Sequence, residues 1–169
     1  IKDLKSILAS RPKRMAILVD ISASMRRPGL WEQAGRELDA ALAEAGPSDD
    51  VSLSVFDTAV HPVVTFEQWR EAGDLGLRRA VMKVRFSSIR PNQAGTRLGD
   101  AVAAGAEIVS APEAGIKNEG KVARQVVLIS DIQEGGHLDA LQGHPWPKDV
   151  KLEVRPVKSA NSQANAGLA

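Results

Sequence analysis

Residues 15–25 read MAILVDISASM, and this stretch decides the fold. Its first part, residues 15–19, is entirely apolar and contains Ile and Val. A short unbroken apolar run of this kind predicts a strand buried on both faces, as in a parallel sheet covered by helices. Asp20, Ser22 and Ser24 follow at every second position. Residues with this spacing point the same way in an extended segment, so we expect their oxygens to converge where the strand ends.

The composition limits the classes of protein to consider. The chain has 169 residues, which fits one domain, and its hydrophobic content of 43% is sufficient for a core. It carries 22 basic and 21 acidic residues, so charge gives no reason to expect nucleic acid or an anionic membrane as a partner. Cysteine is absent, which excludes disulfides, thiol catalysis and cysteine-based zinc sites. No apolar run approaches the roughly 20 residues that span a bilayer.

Strand and helix patterns alternate along the chain. We expect a lead segment at 1–12, a domain at 13–158 and a linker at 159–169. This alternation predicts an α/β domain with a mainly parallel sheet. The short connection after residue 56 predicts an antiparallel hairpin, and Pro62 indicates that its second strand lies at a sheet edge. The predicted strands are 14–21, 51–56, 59–66, 122–130 and 150–157, and the predicted helices are 30–45, 67–84 with a break at 73–76, and 96–110.

Apolar spacing indicates which helix faces turn inward. In the helix at 67–84, the inner face is expected to contain Leu77, Val81 and Val84. In the helix at 96–110, Ala101 and Gly105 belong to a stripe of small residues, so we expect close packing against the sheet. The loop at 86–95 is rich in Ser, Pro, Asn and Gly, and Asp57 is interpreted as a turn residue.

The oxygen-bearing residues are expected to meet at one edge of the sheet. The strands at 14–21 and 122–130 should be central neighbours, and ligands of such sheets bind beyond the carboxyl ends of the strands. Asp20 and Asp131 follow those strands, and Thr96 begins a helix. With Ser22 and Ser24 they form a set of hard oxygen ligands suited to Mg²⁺. Each residue also has an ordinary interpretation, since Asp forms turns and Thr caps helices.

Three motifs in this order resemble the von Willebrand factor A (vWA) domains. DISAS at 20–24 is similar to their D-x-S-x-S motif, GTRLGDAV at 95–102 to their threonine motif, and VVLISD at 126–131 to their second aspartate motif. The resemblance implies a Rossmann-like three-layer fold with helices on both faces of the sheet. It also implies a metal-ion-dependent adhesion site for Mg²⁺, or for Mn²⁺ or Ca²⁺. Hydroxyl ligands would come from Ser22, Ser24 and Thr96, whereas Asp20 and Asp131 would act directly or through water.

The family resemblance further implies a binding module rather than an enzyme. Its members typically bind a partner protein whose Asp or Glu completes the metal shell. DISASM followed by Arg26, Arg27 and Pro28 is most similar to the bacterial, membrane-anchored, Bat-like (aerotolerance-type) relatives. We therefore expect the soluble part of a larger protein of the bacterial cell envelope, anchored in the inner membrane. The fragment itself is expected to contact neither membrane nor nucleic acid.

A rim of further residues is expected around the metal. Arg26, Arg27, Arg97, Ile132 and Glu134 are the candidates for contact with the partner. The arginines, together with Arg90, could attract an acidic partner, although ordinary solvated charges are the simpler interpretation. Many relatives have Thr-Asp-Gly at the second aspartate, whereas this chain has Ser130, Asp131 and Ile132. Ile132 disfavours the positive φ that glycine allows, so the loop is expected to differ.

A different class of protein also places an Asp after a central strand and uses Mg²⁺. Phosphotransferases of the haloacid dehalogenase type use such an Asp as the nucleophile, which here would be Asp20. They also need a second Asp two positions later as a general acid, and this chain has Ser22 there. The spacing therefore favours the binding module over the phosphotransferase.

Overall fold

The sheet is the framework of the molecule. The structure is a computed structural model that describes residues 11–112, 122–132 and 146–158. Within these ranges, a five-stranded sheet has the order β3-β2-β1-β4-β5. The strands are β1 (Lys13–Asp20), β2 (Asp50–Phe56), β3 (Val60–Val64), β4 (Ala123–Ser130) and β5 (Val150–Pro156).

Strand β1 lies at the centre of the sheet, as predicted. It pairs in parallel with β2 on one side and with β4 on the other, and β4 pairs in parallel with β5. Strand β3 is antiparallel to β2 and forms one edge of the sheet. Pro62 is tolerated there because an edge strand does not need a backbone N–H donor at every position. The chain runs outward from β1 in both directions, so the strand order reverses between β1 and β4. Ligands of such sheets bind at this kind of position.

Helices cover both faces of the sheet and produce the three layers that the family resemblance implied. On one face, alternate β1 residues such as Ile17 pack with residues of the first and third helices. On the other face, Leu18 and its neighbours pack with residues of the fourth helix. The helices are α1 (Leu30–Ala43), α2 (Phe66–Glu71), α3 (Leu75–Ser87) and α4 (Leu98–Ser110), and a single 3₁₀ turn occupies Ala23–Arg26.

The predicted break between the second and third helices is confirmed. Gly73 has φ +121°, a backbone conformation that residues other than glycine rarely adopt. Asp74 then caps α3 by accepting a hydrogen bond from the backbone N–H of Leu77 at 2.9 Å. Helix α2 begins with a capping box in which Thr65 and Gln68 satisfy each other's backbone N–H groups.

The predicted inner face of α3 was wrong. Leu77 and Val84 are 55% and 68% exposed, whereas Met82 and Phe86 are buried. Met82 and Phe86 are four residues apart, so they share a helix face, and Phe86 stacks on Trp31 of α1. Burying these larger side chains fixes the rotation of the helix and leaves Leu77 and Val84 outside the core.

Helix α4 lies unusually close to the two central strands. A Cβ atom at Gly105 would be 2.8 Å from Leu18 Cδ1 and 3.0 Å from Val126 Cγ1. The expected close packing of this helix is therefore confirmed, and only glycine fits at its centre without a shift. Because α4 follows the loop that carries Thr96, this contact fixes where that loop can lie.

Some predictions fall outside the described residues. They concern the lead segment before residue 11, the loop at 113–121, the stretch at 133–145 that includes Glu134, and the tail from 159 onward. The proposed domain limits also stay predictions. Among the helices that the structure describes, none combines the length and hydrophobicity needed to cross a membrane.

Candidate metal site at the carboxyl edge of the sheet

A cavity of about 380 Å³ opens beyond the carboxyl ends of β1 and β4. Four of the five predicted metal ligands line it. The fifth, Ser22, is buried directly behind, with its Oγ 3.4 Å from Ser24 Oγ. The strand ends and the threonine loop thus meet, as their order in the sequence suggested. The lining consists of Asp20, Ser24, Arg27, Thr96, Leu98, Ser130, Asp131 and Ile132.

Asp20 is the most enclosed of these residues, at 1% exposed. Its Oδ1 accepts a hydrogen bond from the backbone N–H of Ser22 at 2.8 Å, and its Oδ2 accepts one from Ser130 Oγ at 2.7 Å. Burial raises the pKa of Asp20 above its ordinary value, the hydrogen bonds from Ser22 and Ser130 oppose this rise, and the nearby Asp131 adds to it. The site thus holds a carboxylate whose charge lacks a compensating cation in direct contact among the described residues.

The expectation of one extended segment from Asp20 to Ser24 was wrong. Ser22 is extended, but the chain then enters the 3₁₀ turn. The backbone N–H of Met25 donates to the Ser22 carbonyl at 3.0 Å, and the Met25 side chain is fully buried. This anchor bends the chain after Ser22. The two serine hydroxyls nevertheless converge, because the tight turn brings Ser24 back toward Ser22.

Thr96 does not begin a helix, and its interpretation as a helix cap was also wrong. Helix α4 starts at Leu98, and the capping position is occupied by Arg97 without a side-chain cap. Thr96 instead lies exposed in the loop at the cavity wall. Its hydroxyl is therefore not used to satisfy the helix end.

Asn92 holds the threonine loop to the sheet, a role that the sequence did not reveal. Its backbone N–H donates to the Ile21 carbonyl and its side-chain amide donates to Asp57 Oδ2, both at 2.8 Å. Its Oδ1 accepts from the N–H of Ala94 at 2.8 Å, and the Ala94 carbonyl accepts from Ala23 at 2.9 Å. Asn92 therefore links the loop to the ends of β1 and β2.

Asp57 has a larger role than that of a turn residue. It follows β2 at the same sheet edge as Asp20 and Asp131, and that position was a signal that could have identified it. Its side chain accepts from the Ala59 N–H at 3.0 Å and from Asn92, and His61 Nε2 lies 3.2 Å from its Oδ1. The Ala59 N–H is the main reason that the pKa of Asp57 is lowered, and Asn92 and His61 add to it against the opposing effect of burial.

Asp131 is bound by an arginine that was interpreted as a solvated charge. Arg27 Nη2 donates to Asp131 Oδ2 at 2.5 Å, and Arg27 Nε donates to the Ser24 carbonyl at 3.1 Å. For Arg27 the simple interpretation was therefore wrong. Ile132 lines the cavity and also packs on the core.

The other arginines expected around the metal, unlike Arg27, do not line the cavity. Arg26 is exposed, and Arg97 is exposed with its Nη1 3.9 Å from Asp100 Oδ2. Arg90 donates to the carbonyls of Ser87 and Ile89, both at 2.8 Å. Contact of the rim with a partner stays a prediction.

Comparison with solved structures identifies the fold of the chain. The chain matches a vWA protein from Catenulispora acidiphila with a TM-score of 0.61 at 17% identity, covering 86% of this chain and 33% of that one. The chain has the von Willebrand factor A fold. It is similar in the same way to BatB from Bacteroides thetaiotaomicron, with a TM-score of 0.57 at 23% identity, covering 84% of this chain and 65% of that one.

A Bat-like relative has the same fold. The aerotolerance-related membrane protein from Bacteroides fragilis matches with a TM-score of 0.58 at 25% identity, covering 86% of this chain and 67% of that one. The chain thus spans about two thirds of the length of the two Bacteroides proteins. No family model and no curated protein matches it.

The residues at the cavity fit a hard divalent cation. The candidate donors are carboxylate and hydroxyl oxygens, which suit Mg²⁺, Mn²⁺ and Ca²⁺ better than softer metals. No group of three or more His, Asp or Glu side chains that could hold a metal occurs in the described parts of the chain. A metal at this edge of the sheet would therefore depend on the serine and threonine hydroxyls. Binding of a metal by this set stays a prediction.

Proposed function

We propose that this vWA domain is a metal-dependent protein-binding module. Asp20, Ser22, Ser24, Thr96 and Asp131 would hold a Mg²⁺-type ion, and a partner protein would add the oxygen of an Asp or Glu. The observation that carries this proposal is the convergence of these oxygens on one open cavity at the sheet edge. The bound ion would supply an electrophilic position for that carboxylate. Nothing in this scheme requires a chemical reaction.

The polypeptide contributes orientation and charge to this function. Ser130 and the backbone of Ser22 hold Asp20 in one orientation from behind, so a carboxylate is already placed at the cavity. The neutral hydroxyls add coordination without further negative charge. A divalent ion held by two carboxylates would still attract an anionic group, and this supports a carboxylate as the partner's contribution.

The phosphotransferase alternative is not favoured. Ser22, at the position of the general acid, has no carboxyl group to donate a proton. A phosphate-release assay with Mg²⁺ and p-nitrophenyl phosphate tests this alternative, and turnover that Asp20→Asn abolishes would restore it.

The setting of the domain in a larger protein belongs to the same proposal. The similarity to an aerotolerance-related membrane protein supports a soluble part of a membrane-anchored protein of the bacterial envelope. The partner would then be another protein of that compartment. We propose neither nucleic acid nor the bilayer as a binding surface for this domain.

The decisive experiment is titration with MgCl₂ and MnCl₂ by isothermal calorimetry. The wild type is expected to bind, and Asp20→Asn is expected to lose binding at least about tenfold, since the substitution removes a charged ligand. Asp49→Asn is the matched control, because Asp49 is also a buried carboxylate that accepts backbone N–H bonds, yet it precedes β2 at the opposite edge. Equal binding by all three proteins would show that the metal does not bind at Asp20.

A second pair of variants tests the hydroxyl ligands. Thr96→Ala is expected to weaken metal binding, whereas Thr58→Ala is expected to leave it unchanged, because both threonines are exposed but only Thr96 lines the cavity. If both variants bind as the wild type does, Thr96 is not a ligand.

A further inference from the structure

Arg27 connects the two loops that carry the candidate ligands. Its Nη2 donates to Asp131 Oδ2 at 2.5 Å, and its Nε donates to the carbonyl of Ser24 at 3.1 Å. The Asp131 side chain is 11% exposed, so its charge is well shielded from water. A guanidinium that binds such a carboxylate forms a strong charge-assisted hydrogen bond. Arg27 thus supplies the positive charge at a position where the proposed function requires a metal.

The same contact opposes the binding of a divalent cation. A guanidinium at the cavity wall repels a second positive charge, and it occupies an oxygen of Asp131 that a metal or its bound water would use. Arg27 and the ion therefore cannot both satisfy Asp131 fully. Metal binding would have to weaken or displace the ion pair.

The structure provides space for a displaced guanidinium. Arg27 also lines an adjoining cavity of about 370 Å³, and its side chain is 40% exposed. A rotation of the side chain can therefore take its charged end out of the metal cavity without burying it. Glu32 gives this second cavity one acidic side chain. Two exposed arginines, Arg26 and Arg90, also line this second cavity, where water screens the repulsion between their charges and that of Arg27.

We propose that Arg27 is a displaceable internal cation of this site. It holds Asp131 while no metal is bound, competes with the metal for that carboxylate, and donates to the partner's carboxylate once the metal is in place. This inference rests on the proposed function and adds its regulation. The metal alone binds weakly, and the metal together with an anionic partner binds tightly, because the partner gives Arg27 a replacement for Asp131.

The test compares Arg27→Ala with Arg26→Ala by calorimetric titration with MgCl₂. Both substitutions remove one positive charge from adjacent positions, but only Arg27 binds Asp131. Arg27→Ala is expected to tighten Mg²⁺ binding roughly fivefold to tenfold relative to Arg26→Ala, since it removes a charge-assisted competitor. Equal affinities in the two variants would overturn the inference while leaving the proposed function intact. Failure of every protein to bind, including Arg27→Ala, would overturn both.

Sodium acetate serves as the probe for the partner's carboxylate. Saturating acetate is expected to tighten Mg²⁺ binding to the wild type by a larger factor than to Arg27→Ala. An equal factor in both proteins would overturn the part of the proposal that gives Arg27 a role in binding the carboxylate.

A measurement in EDTA tests the ion pair without any metal. Arg27→Ala is expected to lower the melting temperature of the wild type more than it lowers that of Asp131→Asn. This coupling shows that the two side chains interact in the free protein and that the variants are folded. If the two decreases are equal, Arg27 does not hold Asp131, and the proposal is overturned.

Discussion

At the scale of single residues, the proposed metal site needs the buried carboxylate of Asp20, but the charge of this carboxylate destabilises the metal-free fold. Burial raises the pKa of this carboxyl above its ordinary value of 3.8, so ionised Asp20 opposes folding when no metal is present. The unfolding free energy of the metal-free protein should therefore include a contribution that falls as pH rises from 3.8 through the folded-state pKa.

Asp20→Asn should remove this destabilising charge while keeping the local geometry. The amide can accept from the backbone N–H of Ser22 and donate to Ser130 Oγ, and it carries no charge. In EDTA at pH 7, we expect this variant to be at least as stable as the wild type in urea denaturation, although it loses metal binding. A marked loss of stability would mean that the charge itself stabilises the fold.

Asp57 should show the opposite dependence on pH. The N–H of Ala59, with Asn92 and His61, lowers the pKa of Asp57, so ionised Asp57 stabilises the fold. This contribution is fully present above the ordinary pKa of 3.8 and is lost as pH falls through the lower pKa of the folded state. Asp57→Asn should lower the unfolding free energy by about 1–2 kcal/mol at neutral pH. Urea denaturation at several pH values should show the difference from wild type shrinking below pH 3.8; a constant difference would contradict the assignment.

At the scale of elements, we expect alanine substitutions at two helical glycines to change stability in opposite directions. Gly105→Ala in α4 would bring a Cβ within 2.8 Å of Leu18 and 3.0 Å of Val126 in the central strands, and it should destabilise by about 1–3 kcal/mol. Gly35→Ala in α1 is the matched control, because among the described residues its Cβ would contact Phe86 alone, at the ordinary van der Waals distance of 3.8 Å. That substitution should stabilise by about 0.5–1 kcal/mol through helix propensity. Thermal denaturation of the two variants distinguishes them, and similar shifts would contradict the close packing.

The threonine loop gives a second prediction at this scale. Asn92→Ala removes the bonds to Asp57 and Ala94, so Thr96 should be held less firmly and Mg²⁺ affinity should fall roughly threefold to tenfold. Gln93→Ala, at the exposed neighbouring position, should have little effect. Calorimetric titration of both variants checks this, and equal affinities would show that the loop does not depend on Asn92.

The helices and strands also show which parts of the fold could be predicted from sequence patterns. Buried runs such as residues 15–19, together with Pro62 at the edge and Gly73 at the break, specified the sheet and its helices, because burial and backbone conformation leave strong local signals. The rotation of α3 was missed because Met82 and Phe86 compete with Leu77 and Val84 for the core, and only tertiary packing decides between them.

The candidate site shows the same limit of sequence patterns. The convergence of Asp20 and Asp131 at the cavity was predictable, since they follow neighbouring parallel strands, whereas Thr96 was placed there only by the order of the three motifs. The hydrogen bonds of Arg27 and Asn92 were not predictable. Each of them joins segments that are far apart in the sequence, and no local pattern shows that these segments meet in the fold.

At the scale of the whole molecule, metal binding should be visible as global stability. An ion that binds only the folded state at ten times its dissociation constant adds about 1.4 kcal/mol and should raise the melting temperature by about 3–6 °C. We expect this rise for the wild type in MgCl₂ and none for Asp20→Asn. A rise of equal size in both proteins would indicate a general salt effect.

The order of the strands has a consequence for synthesis on the ribosome. Asp20 emerges well before its hydrogen-bond partner Ser130, which lies 110 positions later on the strand that completes the centre of the sheet. Until that strand has left the exit tunnel, one edge of β1 has no hydrogen-bond partner, so the nascent chain must avoid aggregation during this time. The cavity can form only after β4 has paired with β1, because Ser130 and Asp131 belong to its lining, so a chain truncated before β4 would be unable to bind the proposed partner.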